Sequence, residues 1–574
     1  MTRRLALATV LLVAAASVSA MPAKLHTYQG EHLPFNQQRG SIARVTRFAE
    51  HNEYVQPTKD AAPGADESLV STANGVISGV VSDTHRAFRG IPYGAPPSRF
   101  VDSTPAQPWS PSVLNAYNDP PGCPQICDLP PHTCPDTVSE DCLFLNVFTP
   151  RLNSSNGLPG PWPVMMFIHG GNFYQGTGGG PLYDGGFMTN TSSVVLVNIN
   201  YRLGALGFYV GEDGTNVGGQ FGFRDQRLAL KWIRDNIAAF GGDPNSVTLF
   251  GQSAGAISTI AHMTSVRSAG LFHRAILESE PFTIPLKTVD EARKLGAHLA
   301  QALNCSSTSD IACIRSASLI DLLNAQNSAM SHIVNYDRIL EVFLQWGPVI
   351  DNFELYRQPF DSIQQGEFAP IPIMLGDTAQ EAVIFIYQAF TKPMSTLYYE
   401  GLIDAIFQLD GPKTIKQFPP IKGSEDQRPI TALLATDYVF VCINRNVAAA
   451  LSKSVPTYHF IFDHALSFNG WGPNYTFCAN ASCHGAELPY VFHSANLAGF
   501  QYTPQEDRMA TSMVNYWTSF ARYGDPNASG KESLIWPAFN ATTQPTLRIE
   551  TPNEVDYDLL GSTCAFFDSI GYKV

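Results

Sequence analysis

After its first 20 residues, the sequence has no apolar run long enough to cross a bilayer. At the N-terminus, Arg3 and Arg4 precede an apolar run from Leu5 to Ala16, which the small residues Val18-Ser19-Ala20 follow. This pattern is typical of a cleaved secretory signal, and the run is shorter than the about 20 residues that a spanning helix needs. We expect residues 1–20 to be removed. The mature protein is then expected to be soluble, without a membrane anchor, and either secreted or held in the lumen of the secretory or endolysosomal pathway.

Positive charge is also scarce. The chain carries 36 Lys and Arg against 50 Asp and Glu, so its formal charge is −14 at pH 7, and loss of the two signal arginines makes it −16. Nucleic acids and anionic lipid surfaces repel a protein of this charge. We therefore expect no nucleic acid partner and no anionic membrane partner.

Internal repeats and low-complexity tracts are absent, and 44% of the 574 residues are hydrophobic, enough for a large buried core. Residues 21–68 are different, because they are polar, contain two prolines after position 50 and show no sustained hydrophobic period. We expect residues 21–68 to be a flexible extension or propeptide and residues 69–574 to form one large domain.

Histidine pairs at metal-site spacing are missing beside the cysteines, which argues against a zinc site. Ten cysteines in an exported chain instead favour disulfide bonds. Glycosylation sequons agree with an exported surface. The cysteines are Cys123, Cys127, Cys134 and Cys142, then Cys305 and Cys313, then Cys478 and Cys483, with Cys442 and Cys564 left over. The sequons begin at Asn153, Asn190, Asn304, Asn474, Asn480, Asn527 and Asn540.

Apolar runs that alternate with an amphipathic stretch predict an α/β fold with a mostly parallel, twisted central sheet flanked by helices. An N-terminal region of short antiparallel strands is expected to precede it, and residues 105–141, rich in proline and cysteine, are expected to form a stapled loop. The predicted strands cover residues 75–81, 87–93, 143–148, 164–168, 194–199, 246–250 and 371–375, and the amphipathic helix covers residues 227–237.

The segment Gly251-Gln252-Ser253-Ala254-Gly255 stands between the predicted strand 246–250 and a stretch, 256–263, that reads as a helix. A G-x-S-x-G turn in this context is typical of a nucleophile elbow, in which the serine sits on a sharp turn that exposes its hydroxyl. We therefore interpret Ser253 as a nucleophile. The N–H of Ala254, in the first turn of the helix, would face a developing oxyanion.

A second glycine-rich turn, His169-Gly170-Gly171-Asn172-Phe173, follows directly on the strand that ends at residue 168. Glycines allow a backbone to approach a substrate closely and to aim its N–H groups at one point. Together with Ala254, this turn predicts a three-donor oxyanion hole formed by Gly171, Asn172 and Ala254.

A serine nucleophile needs a histidine base and an acid that orients the histidine. Four histidines in the last quarter are candidates, His459, His464, His484 and His493, and a small Cys478–Cys483 ring before His484 favours His484 by limiting the freedom of its loop. Asp377 and Glu381 both lie near the end of the predicted strand 371–375. The residues alone leave the choice between these two carboxylates open.

From about Val70 to its C-terminus, the chain resembles the type-B carboxylesterase/cholinesterase family of α/β-hydrolases. The resemblance implies Glu381 as the acid, His484 as the base and Ser279 as a second serine near the triad. It also implies the disulfides Cys123–Cys142 and Cys305–Cys313 and a structural ion pair between Arg89 and Glu140. Proximity then suggests Cys127–Cys134 and Cys478–Cys483, and elimination leaves Cys442–Cys564. The matching stretches are residues 88–93, 139–146, 169–173, 240–245 and 251–255.

Three departures from the family pattern concern the substrate. Asn172 stands where many members have a third glycine, and Gln252 stands where cholinesterases have a glutamate. The segment from Cys123 to Cys142 contains no tryptophan, whereas cholinesterases use a tryptophan of this loop to hold a quaternary ammonium group. The sequence therefore argues against choline esters.

The N-terminal signal, the motifs and the resemblance together imply a secreted serine hydrolase that cleaves a small-molecule or lipid ester and needs no metal or organic cofactor. A triacylglycerol lipase of the same family is one alternative, and a catalytically silent adhesion protein like the neuroligins is another. The presence of Ser253, Glu381 and His484 argues against the silent protein. Acyl-chain preference, and the choice between a monomer and a homo-oligomer, stay open at this point.

Overall fold

A computed structural model describes residues 67–152, 160–211, 218–332 and 338–572 of the chain. The expected signal 1–20, nearly all of the expected extension 21–68 and the sequon at Asn153 lie outside these residues.

The centre of the fold is an eleven-stranded sheet with the strand order β16-β15-β14-β13-β10-β9-β7-β8-β6-β4-β3. From β8 to β15 each neighbouring pair is parallel, whereas β3, β4, β6 and β16 pair antiparallel at the two edges. The prediction of a mostly parallel α/β sheet with an N-terminal antiparallel region is confirmed. The strands are β1 Leu69–Thr72, β2 Gly75–Ser78, β3 Val80–Val81, β4 His85–Pro92, β5 Val113–Asn115, β6 Phe144–Pro150, β7 Trp162–Ile168, β8 Val195–Ile199, β9 Gly242–Gln252, β10 Arg274–Glu278, β11 Lys287–Thr288, β12 Val349–Ile350, β13 Ile373–Thr378, β14 Thr457–Phe462, β15 Pro545–Ile549 and β16 Glu554–Tyr557.

Helices pack on both faces of this sheet. Successive side chains of a strand point to opposite faces, and β7 shows the result, because Met166 enters one core with Ile260 while Phe167 enters another with Trp517. The helices are α1 Gly186–Ser192, α2 Gly204–Phe208, α3 Phe221–Asn236, α4 Ala254–Thr264, α5 Val289–Ala302, α6 Ile311–Ser316, α7 Leu319–Met330, α8 Pro359–Gln364, α9 Val383–Ala389, α10 Thr396–Phe407, α11 Gly411–Gln417, α12 Arg428–Ala435, α13 Cys442–Leu451, α14 Leu488–Phe492, α15 Pro504–Tyr523 and α16 Gly561–Ile570.

A third hydrophobic cluster is mostly helical in the described residues. It joins α9, α10 and α12 to a π-helical segment, Thr436–Val441, and to α16. The disulfide between Cys442 and Cys564 ties α13 to α16. Residues of this cluster form much of the wall of a cavity that reaches Ser253.

The N-terminal strands differ in detail from the sequence expectation. The predicted strand 75–81 is two strands, since β2 pairs with β1 and β5 in a small separate sheet while β3 pairs with β4 in the large one. The break is at Gly79, where a Cβ atom would lie 2.3 Å from the ring of Phe88. The expected loop 105–141 also contains a strand, β5.

The expected ion pair between Arg89 and Glu140 is wrong. Arg89 instead contacts Asp184, at 2.6 Å, and lies 3.8 Å from Asp119. Glu140 accepts two hydrogen bonds from the guanidinium of Arg99, at 2.8 and 2.6 Å. A bidentate pair of this kind uses both carboxylate oxygens, which leaves Arg89 to the two aspartates.

All ten cysteines are paired in the structure. The bonds are Cys123–Cys142, Cys127–Cys134, Cys305–Cys313, Cys442–Cys564 and Cys478–Cys483.

Within the described ranges, no helix has the length and apolar character required to cross a membrane. Of the sequons described, Asn304, Asn474, Asn480 and Asn540 are exposed, whereas Asn190 and Asn527 are half-buried.

Candidate active site

Ser253 lies at the turn between β9 and α4, at the carboxyl edge of the parallel strands. Its backbone has φ 56° and ψ −120°, a conformation that non-glycine residues rarely adopt. The turn is possible because Gly255 has no side chain, since a Cβ atom there would lie 1.9 Å from the carbonyl oxygen of Ile168. The elbow expected from G-x-S-x-G is therefore present, and it leaves the serine 6% exposed.

The glycine-rich turn after β7 lies beside this elbow. Gly171 has φ 100°, and a Cβ atom there would lie 2.2 Å from the carbonyl oxygen of Gln175, while Asn172 also has a positive φ of 53°. In the described part of the chain, no hydrogen-bond acceptor is recorded for the backbone N–H of Gly171, Asn172 or Ala254. Unused backbone donors are what an oxyanion hole requires.

His484 contacts Glu381, with 2.5 Å between Nδ1 of the imidazole and Oε2 of the carboxylate. Glu381 is fully buried, and its other oxygen accepts a hydrogen bond of 2.6 Å from the N–H of Thr378. The loop that carries His484 is fastened to the loop that carries Glu381 by two hydrogen bonds between Gln380 and Ser482. The Cys478–Cys483 disulfide restrains it further. The structure thus holds the imidazole in one orientation.

The other candidate histidines lie elsewhere. His459 is inside β14, where its Nδ1 is 2.9 Å from Oγ1 of Thr546 and burial lowers its pKa to about 3. His464 pairs with Glu506, and His493 stacks on Phe187 with 3.7 Å between the ring centres.

Asp377, the rival acid, is a residue of β13 rather than of the loop beyond it. One of its oxygens accepts a hydrogen bond of 2.6 Å from Asn444, and no histidine contact is recorded for it within the described residues. Burial, and then the neighbouring Glu381, raise its pKa well above the ordinary aspartate value. The raised pKa favours the neutral carboxyl, which stabilises an imidazolium less than a carboxylate does.

Gln252 has a contact with the base that sequence reasoning missed. Its side-chain amide nitrogen is 3.0 Å from Nε2 of His484. Because Glu381 accepts the proton of Nδ1, Nε2 carries the lone pair, and the amide donates to it. A base for Ser253 would use the same lone pair, and no hydrogen bond between Ser253 and His484 is recorded in the described residues. Gln252 would therefore have to leave Nε2 before the imidazole could take the proton of Ser253.

Four further carboxyl groups are buried close to Glu381. Glu278 and Glu280 flank Ser279 at the end of β10, and Asp377 and Glu487 complete the set. Burial raises the pKa of all four groups, that of Glu278 to about 8. Ser279, the serine that the resemblance places near the triad, has a positive φ of 59° and a hydroxyl without a recorded partner.

Stability should therefore fall as the pH rises through neutrality. A carboxyl whose folded pKa exceeds its unfolded pKa stabilises the fold fully below the unfolded value and loses that contribution as the pH approaches the folded value. Glu278→Gln keeps an acceptor for the N–H of Trp517, now 2.7 Å from Glu278, and cannot ionise. We expect the free energy of unfolding of the wild type, relative to this variant, to fall by about 1.7 kcal/mol between pH 6.5 and 8. Urea unfolding at both pH values measures it, and a constant difference would contradict the prediction.

Two cavities meet at Ser253. The first, which we call the helical cavity, is bounded by α7, α9, α10, α12, the turn Ile339–Phe343 and the π-helical segment. The second, the loop cavity, is bounded mainly by loop residues and includes Gln252 and His484. Both are lined by Asn172, Tyr174, Ser253 and Phe385.

The loop cavity contains aromatic side chains that the sequence comparison with cholinesterases did not anticipate. Trp471, Phe468, Tyr475 and Phe500 line it, although none of them belongs to the segment 123–142. Its lining also includes Asp128. In the described residues, no group of three or more His, Cys, Asp or Glu side chains is arranged to hold a metal ion.

Comparison with known proteins identifies relatives of this chain. The model of the carboxylesterase family matches residues 66–567. The chain is similar to two Dictyostelium discoideum proteins. The crystal protein is 38% identical over 523 residues, which cover 89% of this chain and 92% of that protein. The cAMP-regulated D2 protein is 37% identical over 513 residues, which cover 88% of this chain and 92% of that protein. It is also similar to an acetylcholinesterase of Bungarus fasciatus, 32% identical over 543 residues with 88% and 87% covered.

Proposed function

We propose that this chain, which belongs to the carboxylesterase family, is a secreted serine hydrolase that cleaves carboxylic esters through an acyl-enzyme on Ser253. The observation that carries the proposal is the convergence of an elbow serine, a histidine–carboxylate pair and three unused backbone donors at one junction between two cavities. The five disulfides agree with an oxidising, secretory environment.

In the acylation step, Oγ of Ser253 attacks the ester carbonyl carbon while Nε2 of His484 takes the hydroxyl proton. Glu381 holds the imidazole through Nδ1 and stabilises the imidazolium that forms. The negative charge on the carbonyl oxygen is stabilised by the three backbone donors, of which each contributes about 10²–10³ in rate in comparable sites. The tetrahedral intermediate then expels the alcohol, which takes its proton from His484.

In the second step, His484 removes a proton from water, and the hydroxide attacks the acyl-enzyme carbonyl. Collapse of the second tetrahedral intermediate releases the carboxylic acid, and Ser253 recovers its proton from His484. No step of this cycle requires a metal or an organic cofactor.

A catalytically silent adhesion protein remains the alternative from another functional class. Some relatives in a hydrolase family keep the fold and lose the chemistry. The buried and hydrogen-bonded Glu381, the held imidazole of His484 and the strained Ser253 argue for chemistry, because a binding protein has no use for this arrangement.

The test is covalent labelling with a fluorophosphonate. The purified protein should react, and peptide mass mapping should place the phosphonyl group on Ser253. Prior denaturation should abolish the reaction, since the free serine hydroxyl is a weak nucleophile. A protein that neither reacts nor hydrolyses p-nitrophenyl acetate would support the silent alternative, and labelling at another serine would overturn the assignment.

A further inference from the structure

We propose that the helical cavity receives a long, unbranched acyl chain, so that the natural substrates are esters of fatty acids with a comparatively polar alcohol. This inference rests on the proposed function, because it assigns the two arms of an ester to the two cavities that meet at Ser253. The proposal extends the function to a substrate class and separates it from esterases that accept only short acyl groups.

The direction of each arm follows from the position of the base. The alkoxide that leaves the tetrahedral carbon must take its proton from Nε2 of His484, so the alcohol arm lies on the side of the imidazole. His484 and Gln252 line the loop cavity and do not line the helical cavity. The acyl arm therefore extends in the other direction, into the helical cavity.

The lining of the helical cavity fits a hydrocarbon. None of the described residues that bound it is charged, and most of them are aliphatic or aromatic. The loop cavity differs, because its lining includes Asp128, His484 and several glutamines. An uncharged wall lowers the free energy of an apolar chain and offers no partner to a polar one.

The extent of the lining indicates a long chain. Its lining includes Ser253, Phe385 and Phe440. It also includes residues of α10, among them Leu402 and Ile403. An acetyl or butanoyl group would leave most of this wall without contacts.

The first experiment measures kcat/KM for p-nitrophenyl esters from acetyl to dodecanoyl, each below its aggregation concentration. Burial of one methylene contributes about 0.8 kcal/mol, so kcat/KM should rise by up to about fourfold per methylene until the cavity is filled. A parallel series varies the alcohol chain of butanoyl esters and should be much flatter. A kcat/KM that is constant or falls beyond butanoyl would overturn the proposal while leaving ester hydrolysis in place.

The second experiment fills the cavity. Ile403→Trp places a larger side chain on the lining face of α10 and should lower kcat/KM for decanoyl esters at least tenfold more than it lowers kcat/KM for acetyl esters. The matched control is Leu397→Trp on the same helix, where the side chain is 79% exposed and does not line the cavity. Ala435→Leu, a smaller change on the lining of α12, gives the same readout if Ile403→Trp fails to fold.

The outcomes separate the two proposals. Hydrolysis of short esters with no preference for long acyl chains overturns the acyl assignment alone, and so does an effect of Ile403→Trp confined to the alcohol series. Absence of both hydrolysis and fluorophosphonate labelling overturns the proposed function itself.

Discussion

Ser253→Ala is expected to lower kcat by about 10⁶, as removal of the nucleophile does in well-studied serine hydrolases. The remaining rate would come from substrate binding and from the oxyanion donors, which the substitution leaves in place. The measurement is kcat and KM for a p-nitrophenyl ester that the wild type hydrolyses. Fluorophosphonate labelling should disappear with the activity.

The fold of this variant should be unchanged. The hydroxyl of Ser253 makes no recorded hydrogen bond in the described residues, so its removal leaves no buried group without a partner. Ser265→Ala is a suitable control, because Ser265 is buried near the end of the same helix and its hydroxyl also has no recorded partner. The control should keep full activity. Retention of activity by Ser253→Ala, or its loss in both variants, would refute Ser253 as the nucleophile.

The parts of the site that depend on local sequence could be predicted from it. The elbow at Ser253 is one, because a short strand, two glycines and a helix specify the turn within about fifteen residues. The turn after β7 is another, since Gly171 and Asn172 adopt the positive φ that their residue types tolerate. The parallel sheet was predictable for the same reason, because a strand buried on both faces is apolar throughout.

The contacts between distant segments could not be predicted in this way. Gln252 and His484 are 232 positions apart, and their hydrogen bond depends on where two loops meet above the sheet. The pairing of Glu140 with Arg99 rather than Arg89 has the same origin, since residue type does not reveal which guanidinium faces the carboxylate. The helical cavity combines side chains from segments more than 100 residues apart, and no single stretch of sequence indicates it.

The choice between the two candidate acids shows the limit most clearly. Asp377 and Glu381 are four residues apart, and both lie where β13 ends. The direction of each side chain depends on where the strand ends, and sequence patterns locate the ends of strands poorly. In the structure, Glu381 contacts His484, whereas Asp377 accepts a hydrogen bond from Asn444.

Glu381→Gln should accordingly lower kcat by about 10⁴, the effect of the corresponding acid-to-amide change in another serine hydrolase. The N–H of Thr378 requires an acceptor, so the amide oxygen should take that position and the amide nitrogen should face Nδ1 of His484. An N–H facing Nδ1 favours the tautomer with the proton on Nε2. In that tautomer the imidazole has no lone pair for the proton of Ser253.

Asp377→Asn is the matched control, with the same change of carboxyl to amide four residues away. Burial raises the pKa of Asp377 well above its usual range, which favours the neutral carboxyl, and an asparagine oxygen can still accept the hydrogen bond from Asn444. We expect kcat to change by less than about tenfold, a loss of under 1.4 kcal/mol. Both variants should be measured with one soluble ester at pH 7.5, and their melting temperatures compared. A large loss in Asp377→Asn with a small one in Glu381→Gln would assign the acid to Asp377, because only the residue that orients the imidazole controls which nitrogen carries the proton.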